Sequence, residues 1–291
     1  RGFIDFKILS VNSELSKTRG SFFVTFNIQE GQQFRFGNVD ISSVLSGVDP
    51  AEFEAALKVN KGQIHIVEPN LEEIVNNAIY KGMLKASETP EAADAFLITV
   101  PTPIRFHDDD LIPEPDLAFV KAAIESISIV LKKGDLVVLE STSPVGTTEL
   151  IENWLESYRP DLTFPTKNGG GSDIRIAYCP ERVLPGNTLR ELVTNDRVIG
   201  GITNECSKLA ANLYSVFLEG ECYLTNARTA EMTKLTENSC RDVQIAFANE
   251  LSMICDELDI NVWELIALSN KHPRINILNP GPGVGGHCIA V

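Results

Sequence analysis

The stretch LKKGDLVVLESTSPVGTTELIENWLESY, residues 131–158, decides how this chain folds. Its first half contains an apolar run, DLVVLEST (135–142), which predicts a buried strand. TTELIENWLESY (147–158) follows, with apolar residues at helical spacing. An apolar strand followed by an amphipathic helix is the repeating unit of parallel sheets, so the pattern indicates an α/β fold.

The same alternation continues on both sides of this unit. A helix is predicted at 115–133, ending at Gly134. Further apolar strands are predicted at 95–100, 173–181 and 196–201. We therefore expect right-handed βαβ units and a parallel sheet in the part of the chain that begins near residue 60. A long amphipathic helix at about 229–259 follows, with a length typical of packing between domains or subunits.

Residues 1–59 have a different pattern. Segments 3–11, 21–31 and 35–45 are rich in β-branched and aromatic residues or alternate apolar with polar ones. DPAEFEAALKV (49–59) reads as a short helix, with Asp49 as its N-cap and Pro50 in its first turn. This order predicts a small β-rich α+β piece ahead of the α/β part.

Composition excludes several classes of partner. The formal net charge is −15, which disfavours nucleic acid, and no apolar run reaches the roughly 20 residues of a membrane helix. The six cysteines form no CxxC pair and no zinc-ligand spacing with histidine, so no metal site is expected. Scattered cysteines indicate reduced thiols and a cytoplasmic protein, with five of them buried as small hydrophobic residues.

A dinucleotide fingerprint is present only in an unsuitable place. Gly281, Gly283 and Gly286 match G-x-G-x-x-G, but an Asn-Pro turn precedes them and Pro282 interrupts the loop. The fingerprint needs a strand before it and a helix after it, so we do not interpret this loop as a phosphate cradle.

Several blocks together resemble the UDP-glucose/GDP-mannose dehydrogenase family. They are GQIHIVEPNL (62–71), ITVPTP (98–103), LKKGDLVVLESTSPVGTTE (131–149), AYCPERVLPGNT (177–188), NDRVIGG (195–201), TNARTAEMTKLTENSCRD (225–242) and NKHPRINILNPGPGVGGHCIAV (270–291). PERVLPG together with HPRINILNPGPGVGGHC favours the acetamido-sugar branch. The resemblance implies oxidation of UDP-N-acetyl-D-mannosamine to the uronate by two NAD molecules, for polysaccharide precursor synthesis.

The resemblance also implies the catalytic residues. Cys288 matches the family nucleophile, which forms a thiohemiacetal and then a thioester. Lys234 matches the general acid/base, and Asn238, one helical turn later, shares its face and is expected to orient water or the oxyanion. Arg241 continues this polar stripe as an anion-binding residue, and Glu181 is the candidate carboxylate that assists water or aldehyde chemistry.

Other matches imply ligand contacts. The substrate contacts implied are Arg182, Val183, Arg241, His272, Arg274 and Gly285. The cofactor contacts implied are Thr102, Thr142 and Thr148, at the carboxyl ends of predicted strands, where open α/β sheets bind ligands. Taken alone, each threonine also suits a helix cap, and each Arg or His also suits a solvated surface or a salt bridge.

Residues 1–59 resemble a POTRA segment of the outer-membrane protein assembly factor. RGFIDFKILSVNSEL, FFVTFNIQEGQQFRFGNVDIS and GVDPAEFEAALKV carry this likeness. It suggests a chimera joined near residue 60, in which the POTRA-like piece replaces the first βαβ unit of the dehydrogenase. By itself this piece would suggest a periplasmic, peptide-binding module.

The resemblance also sets expectations for organisation. Residues 60–225 would be a partial NAD-binding domain, an incomplete Rossmann-like parallel sheet that lacks its first βαβ unit. Residues 226–291 would be a central helical region that carries the cysteine loop and pairs two subunits. The family has an Asp four residues after the catalytic Cys, and this chain ends at Val291, one residue short. The family's UDP-binding domain also lies outside the sequence, so we expect little or no turnover from these 291 residues.

Overall fold

The computed structural model describes residues 59–60, 68–87, 89–105, 114–184 and 186–281, together with the backbone of two strands at 6–15 and 22–30. The chain divides into two compact units, Arg1–Phe53 and Glu54–Val291. Cys288 and Gly285 lie outside the described residues, as do the predicted strand at 35–45 and most of the helix at 49–59.

The described part of the first unit is an antiparallel pair of strands. Strand β1 (Phe6–Leu15) pairs with β2 (Phe22–Glu30) from Phe6 opposite Glu30 to Leu15 opposite Phe22. The register shifts between Ile8 and Ser10, as at a β-bulge. The two predicted strands at the start of the chain are thus confirmed.

The second unit alternates strands with helices. Its strands are β3 (Ala95–Ile98), β4 (Ile104–Arg105), β5 (Glu114–Pro115), β6 (Leu136–Leu139), β7 (Arg175–Tyr178), β8 (Arg197–Gly201) and β9 (Cys222–Asn226). Its helices are α1 (Leu71–Tyr80), α2 (Ala118–Ser128), α3 (Thr147–Tyr158), α4 (Pro165–Asn168), α5 (Thr188–Thr194), α6 (Asn204–Tyr214), α7 (Ala227–Glu257) and α8 (Val262–Ser269).

Five of these strands form one sheet in the order β3-β6-β7-β8-β9. Strands β3, β6 and β7 are parallel, as predicted, but β8 pairs antiparallel with β7 and β9 runs parallel to β8. The sheet is therefore mixed. The chain enters β8 at the end of the sheet where β7 finishes, whereas a parallel neighbour would require a crossover to the opposite end. The Rossmann-like α/β fold is confirmed, and the expectation of parallel strands throughout is wrong at β8.

The core lies on both faces of the sheet. On one face α2 and α3 pack Val120, Ile124, Ile151 and Leu155 against the strands, all with no exposed surface. On the other face α6 packs Ala210 and Tyr214 against the neighbouring strands. All four residues of β6 are buried, which is the signature of a strand covered on both sides.

Helix boundaries follow from specific caps. Helix α3 matches its predicted range, Thr147–Tyr158. Helix α2 is shorter than predicted: it begins at Ala118, whose N–H donates to the Asp116 carboxylate at 2.8 Å. It ends at Ser128, where the Arg159 guanidinium donates to the Ser128 carbonyl at 2.9 Å and so satisfies a terminal acceptor.

Helix α7 crosses the sheet at a glycine. A Cβ atom built on Gly200 of β8 would lie 2.3 Å from the Asn226 carbonyl oxygen and 2.7 Å from the Ala230 Cβ. Only glycine permits this approach, which brings the first turns of α7 onto β8. The position of this long helix therefore depends on a residue in a strand.

The five described cysteines are all free thiols. Cys179, Cys206 and Cys255 are buried, as expected for small hydrophobic residues, and Cys222 is half-buried. The prediction is wrong for Cys240, which is exposed because it lies on the outer side of α7.

Candidate active site

Polar side chains meet where the parallel strands end. The Thr102 hydroxyl, beyond β3, donates a hydrogen bond of 2.6 Å to the Thr142 carbonyl, beyond β6. The Ser141 hydroxyl donates to the Val100 carbonyl at 2.7 Å, which joins the same two segments. Thr102 is buried and Thr142 half-buried. The structure therefore brings two of the predicted cofactor contacts together at the edge where open α/β sheets bind ligands.

Lys234 reaches the same edge from helix α7. Its ammonium group donates a hydrogen bond of 2.7 Å to the main-chain carbonyl of Glu181, just beyond β7. Only 8% of the Lys234 surface is exposed, so the charge is largely shielded from solvent. The predicted acid/base lysine and the predicted carboxylate are therefore neighbours, although the lysine contacts the main chain of Glu181.

The carboxylate of Glu181 is half-buried and accepts a hydrogen bond from the Val183 N–H. Burial raises the pKa of this carboxyl group above its ordinary value of 4.5, while the Val183 N–H and the Lys234 charge act in the opposite direction. A raised pKa suits a carboxyl group that exchanges protons, and a group of this kind in a cleft is a candidate for acid/base chemistry.

Arg182 is held between β8 and α7. Its guanidinium forms an ion pair of 2.7 Å with Glu237 and donates to the Asp196 carbonyl at 2.9 Å. Arg182 also lines a cleft of about 370 Å³ with Asn195, Asp196, Val198 and Tyr223. Arg182 therefore forms a salt bridge, the alternative given above for a lone Arg, and it also lies beside an open cleft.

Glu231 is a site residue that the sequence reading missed. It has no exposed surface, and its carboxylate accepts hydrogen bonds from the Gly146 N–H at 2.6 Å, the Thr148 N–H at 2.8 Å and the Thr148 hydroxyl at 2.6 Å. A carboxylate at the start of a helix is stabilised by the unpaired N–H groups and the helix dipole. Acidic residues on amphipathic helices normally face solvent, so the only available signal was its spacing of three residues from Lys234.

The Glu231 contacts define the surroundings of Thr148. Thr148 is completely buried in the first turn of α3, and its hydroxyl hydrogen is donated to Glu231. The start of α3 therefore already holds an anion supplied by the protein. The cofactor contact of Thr148 stays a prediction. In this structure the hydroxyl of Thr148 donates to Glu231.

The remaining predicted residues lie at the margin of this group or outside the described chain. Asn238 is half-buried, one turn beyond Lys234, and Arg241 is exposed, so the predicted polar stripe runs from the interior to solvent. His272 and Arg274 are exposed in the segment after α8. Within the described residues, no His, Cys, Asp or Glu group suited to a metal ion is found.

In the part of the chain with assigned structure, no helix is both long enough and apolar enough to cross a bilayer.

Comparisons with known proteins point to one family. The model of the UDP-glucose/GDP-mannose dehydrogenase family, NAD binding domain, matches residues 39–218, and the model of the family's central domain matches residues 228–291. The first match begins before residue 60, where the dehydrogenase resemblance was expected to start.

Curated relatives carry two names at nearly the same identity. The chain is 64% identical over 245 residues to UDP-N-acetyl-D-mannosamine dehydrogenase of Yersinia pestis, covering 84% of this chain and 57% of the relative. It is 63% identical over 233 residues to NDP-N-acetyl-D-galactosaminuronic acid dehydrogenase of Ralstonia nicotianae, covering 80% and 54%. The chain thus spans about half the length of the curated relatives it matches.

Solved structures show the same fold. UDP-D-ManNAc dehydrogenase from Pyrococcus horikoshii matches with a TM-score of 0.73 and 41% identity, over 81% of this chain and 54% of that one. UDP-N-acetyl-mannosamine dehydrogenase from Staphylococcus aureus matches with a TM-score of 0.71 and 47% identity, over 82% and 55%.

Proposed function

The chain belongs to the UDP-glucose/GDP-mannose dehydrogenase family, and from this premise we propose that the protein oxidises a UDP-linked N-acetylhexosamine at C6 to the carboxylate. UDP-N-acetyl-D-mannosamine is the first candidate substrate and NAD the oxidant. The observation that carries the proposal is the buried Lys234 ammonium beside Glu181, at the carboxyl edge of the sheet. An alcohol oxidised at this edge needs a proton acceptor and a cation for the developing alkoxide, and Lys234 supplies either.

The described residues fit one end of a dinucleotide. Thr102 and Thr142, joined at 2.6 Å beyond two parallel strands, would contact the cofactor. The start of α3 is filled by Glu231, which would repel a phosphate there. NAD supplies the acceptor for two hydrides.

In this mechanism Cys288 holds the intermediate. Its thiolate adds to the C6 aldehyde to give a thiohemiacetal, and oxidation of that adduct gives a thioester. Water then hydrolyses the thioester and releases the carboxylate and the thiol. Glu181, with its raised pKa, would take a proton from the attacking water, and Asn238 would orient that water or the oxyanion.

Substrate recognition is proposed for the residues around this group. Arg182, beside the cleft, and Val183 would contact the sugar nucleotide. Arg241, His272 and Arg274 would supply cationic or hydrogen-bonding groups for its diphosphate, and Gly285 would permit a close approach. Because relatives named for mannosamine and galactosaminuronic acid are about equally similar, both sugars belong in the test.

A single-turnover experiment tests the function. The chain is mixed with NAD and the C6 aldehyde of UDP-N-acetylmannosamine or UDP-N-acetylgalactosamine, quenched in acid and examined by peptide mass spectrometry, with NADH absorbance followed in parallel. We expect a sugar thioester on Cys288 that depends on NAD, because this readout detects a single chemical event even where repeated turnover is small or absent. The exposed Cys240 is an internal control for unspecific thiol reaction. An adduct on Cys240 alone, or none on Cys288 with either sugar nucleotide, refutes the proposal.

We further propose that two copies pair through α7 and that the protein works in the cytoplasm. Helix α7 is 31 residues long and exposes Met232, Val243, Phe247 and Ile254 by more than half of their surface. These positions share one side of the helix, and a second copy would cover the apolar stripe that they form. The five free thiols agree with a reducing compartment.

We propose a second function, peptide binding, for the first unit. Its antiparallel strands β1 and β2 support the POTRA-like interpretation, in which an extended peptide would add to a strand edge. The chimera hypothesis belongs to the same interpretation. A single unbroken genomic read across codons 50–70 tests the junction, and a contiguous native gene would refute an assembly artefact.

A further inference from the structure

We propose that Glu231 is a positioning residue that fixes Lys234 relative to the strand-end loop at 141–148. The proposal rests on the proposed function, in which the position of Lys234 matters because this lysine is the acid/base. It concerns the distance between two elements, the first turns of α7 and the amino end of α3. Glu231 does not contact the reacting atoms in this assignment.

Three hydrogen bonds make Glu231 a connection between these elements. One carboxylate oxygen accepts from the Gly146 N–H at 2.6 Å, and the other accepts from the Thr148 N–H at 2.8 Å and the Thr148 hydroxyl at 2.6 Å. The residue is completely buried, so no water replaces a lost partner without an opening of the structure. Glutamine in its place would bring an amide donor against an N–H donor.

Lys234 lies three residues later on the same helix, about one turn away. Its ammonium group is anchored at the other side of the site, on the Glu181 carbonyl at 2.7 Å. The first turns of α7 are therefore tied to α3 through Glu231 and to the end of β7 through Lys234. If the Glu231 hydrogen bonds are removed, the exposed ion pair of Arg228 with Glu149, at 2.9 Å, still joins α7 to α3, but the buried connection next to Lys234 is lost. We expect the shielding of Lys234 from solvent to decrease as a result.

A matched residue separates positioning from ordinary stability. Glu152 is also buried, at 2% exposure, and also accepts hydrogen bonds from a backbone N–H and a threonine hydroxyl. Its partner is Thr166 of α4, at 2.6 Å and 2.5 Å. Glu152→Gln therefore removes a buried negative charge from the start of a helix, as Glu231→Gln does, without touching α7.

The experiment measures how fast individual lysines are acylated in the folded chain. The chain, Glu231→Gln and Glu152→Gln are treated with a water-soluble acetylating reagent, and modification is counted per peptide by mass spectrometry. Lys132 is the internal reference, because it is tied to Asp94 and Asp135 beside the start of β6. Thr148→Val, which removes one of the three donors, is the milder second variant if Glu231→Gln does not fold.

We expect Glu231→Gln to raise Lys234 acylation on the order of tenfold, with Lys132 unchanged within about twofold, and Thr148→Val to give a smaller rise. Glu152→Gln should lower the unfolding temperature without changing Lys234. The proposal is overturned if Lys234 is unaffected in Glu231→Gln, if Lys132 rises in parallel, or if Glu152→Gln has the same effect. None of these rates requires turnover, so an absent Cys288 adduct would refute the proposed function separately.

Discussion

The ammonium group of Lys234 and the main-chain carbonyl of Glu181, 53 residues apart in sequence, form a hydrogen bond of 2.7 Å. The bond joins helix α7 to the end of β7, two elements that the sequence presents as separate motifs. The acceptor is a main-chain carbonyl, and the Glu181 carboxylate interacts with the Lys234 charge without a direct hydrogen bond to it. The ammonium group is thereby held in place and stays available for a developing alkoxide.

The first prediction concerns this lysine. Lys234→Met keeps the length of the side chain and removes its charge, so the rate of NADH formation in a single turnover should fall by about 10²–10⁴-fold. The exposed Lys208 of α6 provides the control, and Lys208→Met should leave the rate unchanged. Stopped-flow absorbance measures both. An unchanged rate in Lys234→Met would remove the lysine from the mechanism.

The second prediction follows from the raised pKa of Glu181. The folded state holds its proton more tightly than the unfolded state, so ionisation of this carboxyl group costs stability as pH rises above 4.5 through its folded pKa. Glu181→Gln should therefore raise the unfolding temperature at pH 7 to 8, with the difference disappearing as pH falls to about 4.5. The Gln oxygen can still accept from the Val183 N–H.

Unfolding curves at several pH values test this effect, with Glu156→Gln as a control. Glu156 faces Lys167 across an ion pair of 2.6 Å, so its neutralisation should not stabilise the protein at pH 7. A lower unfolding temperature for Glu181→Gln at neutral pH would contradict the burial argument. If the same variant also fails to hydrolyse the Cys288 thioester, the carboxylate that costs stability when it ionises is also the one that hydrolysis requires.

How far the sequence predicts this fold depends on the range of the interactions. Helix α3 is predicted at both ends because its apolar spacing is local. The antiparallel direction of β8 is not predicted, because the sequence of a strand does not indicate which strand it pairs with. Strand β9, CYLTN, is not among the predicted strands, because its burial is incomplete and its pairing with β8 is a long-range effect.

The candidate site shows the same division. Motif resemblance identified Lys234 and Glu181, and the structure places them in contact. Glu231 was missed because nothing in TAEMTK distinguishes a buried carboxylate from a solvated one. Its role depends on Gly146 and Thr148, more than 80 residues earlier, so only the folded chain shows that the N–H groups of α3 satisfy it.

The third prediction concerns thiol reactivity. Burial raises the pKa of Cys179 to about 11, so at pH 8 its thiolate is a very small fraction. Cys206 and Cys255 are also buried, whereas Cys240 is exposed. Under native conditions, at a concentration where the chain is monomeric, iodoacetamide should alkylate Cys240 and leave Cys179 unmodified, as read by peptide mass spectrometry. In denaturant the two should react alike, and rapid native alkylation of Cys179 would contradict its burial.

The fourth prediction concerns the glycine beneath α7. A methyl group at Gly200 collides with the Asn226 carbonyl at 2.3 Å, so Gly200→Ala should cost about 1–3 kcal/mol of unfolding free energy. Gly171→Ala is the control, because a Cβ there meets no atom within 4 Å, and its effect should stay within about 0.5 kcal/mol. Chemical denaturation measures both, and equal effects would disprove the close approach of α7.

The last prediction tests the pairing of two copies through the apolar stripe of α7, formed by Met232, Val243, Phe247 and Ile254. The chain has a mass of 31.9 kDa, and we expect light scattering after size exclusion to give twice this value. Val243→Glu and Phe247→Glu should each shift the equilibrium toward monomer, because a charge buried between two copies lacks a partner. Asp256→Lys, an exposed change near the end of the same helix, should leave the mass unchanged. If the unmodified chain is monomeric at every concentration, the stripe does not bind a second copy.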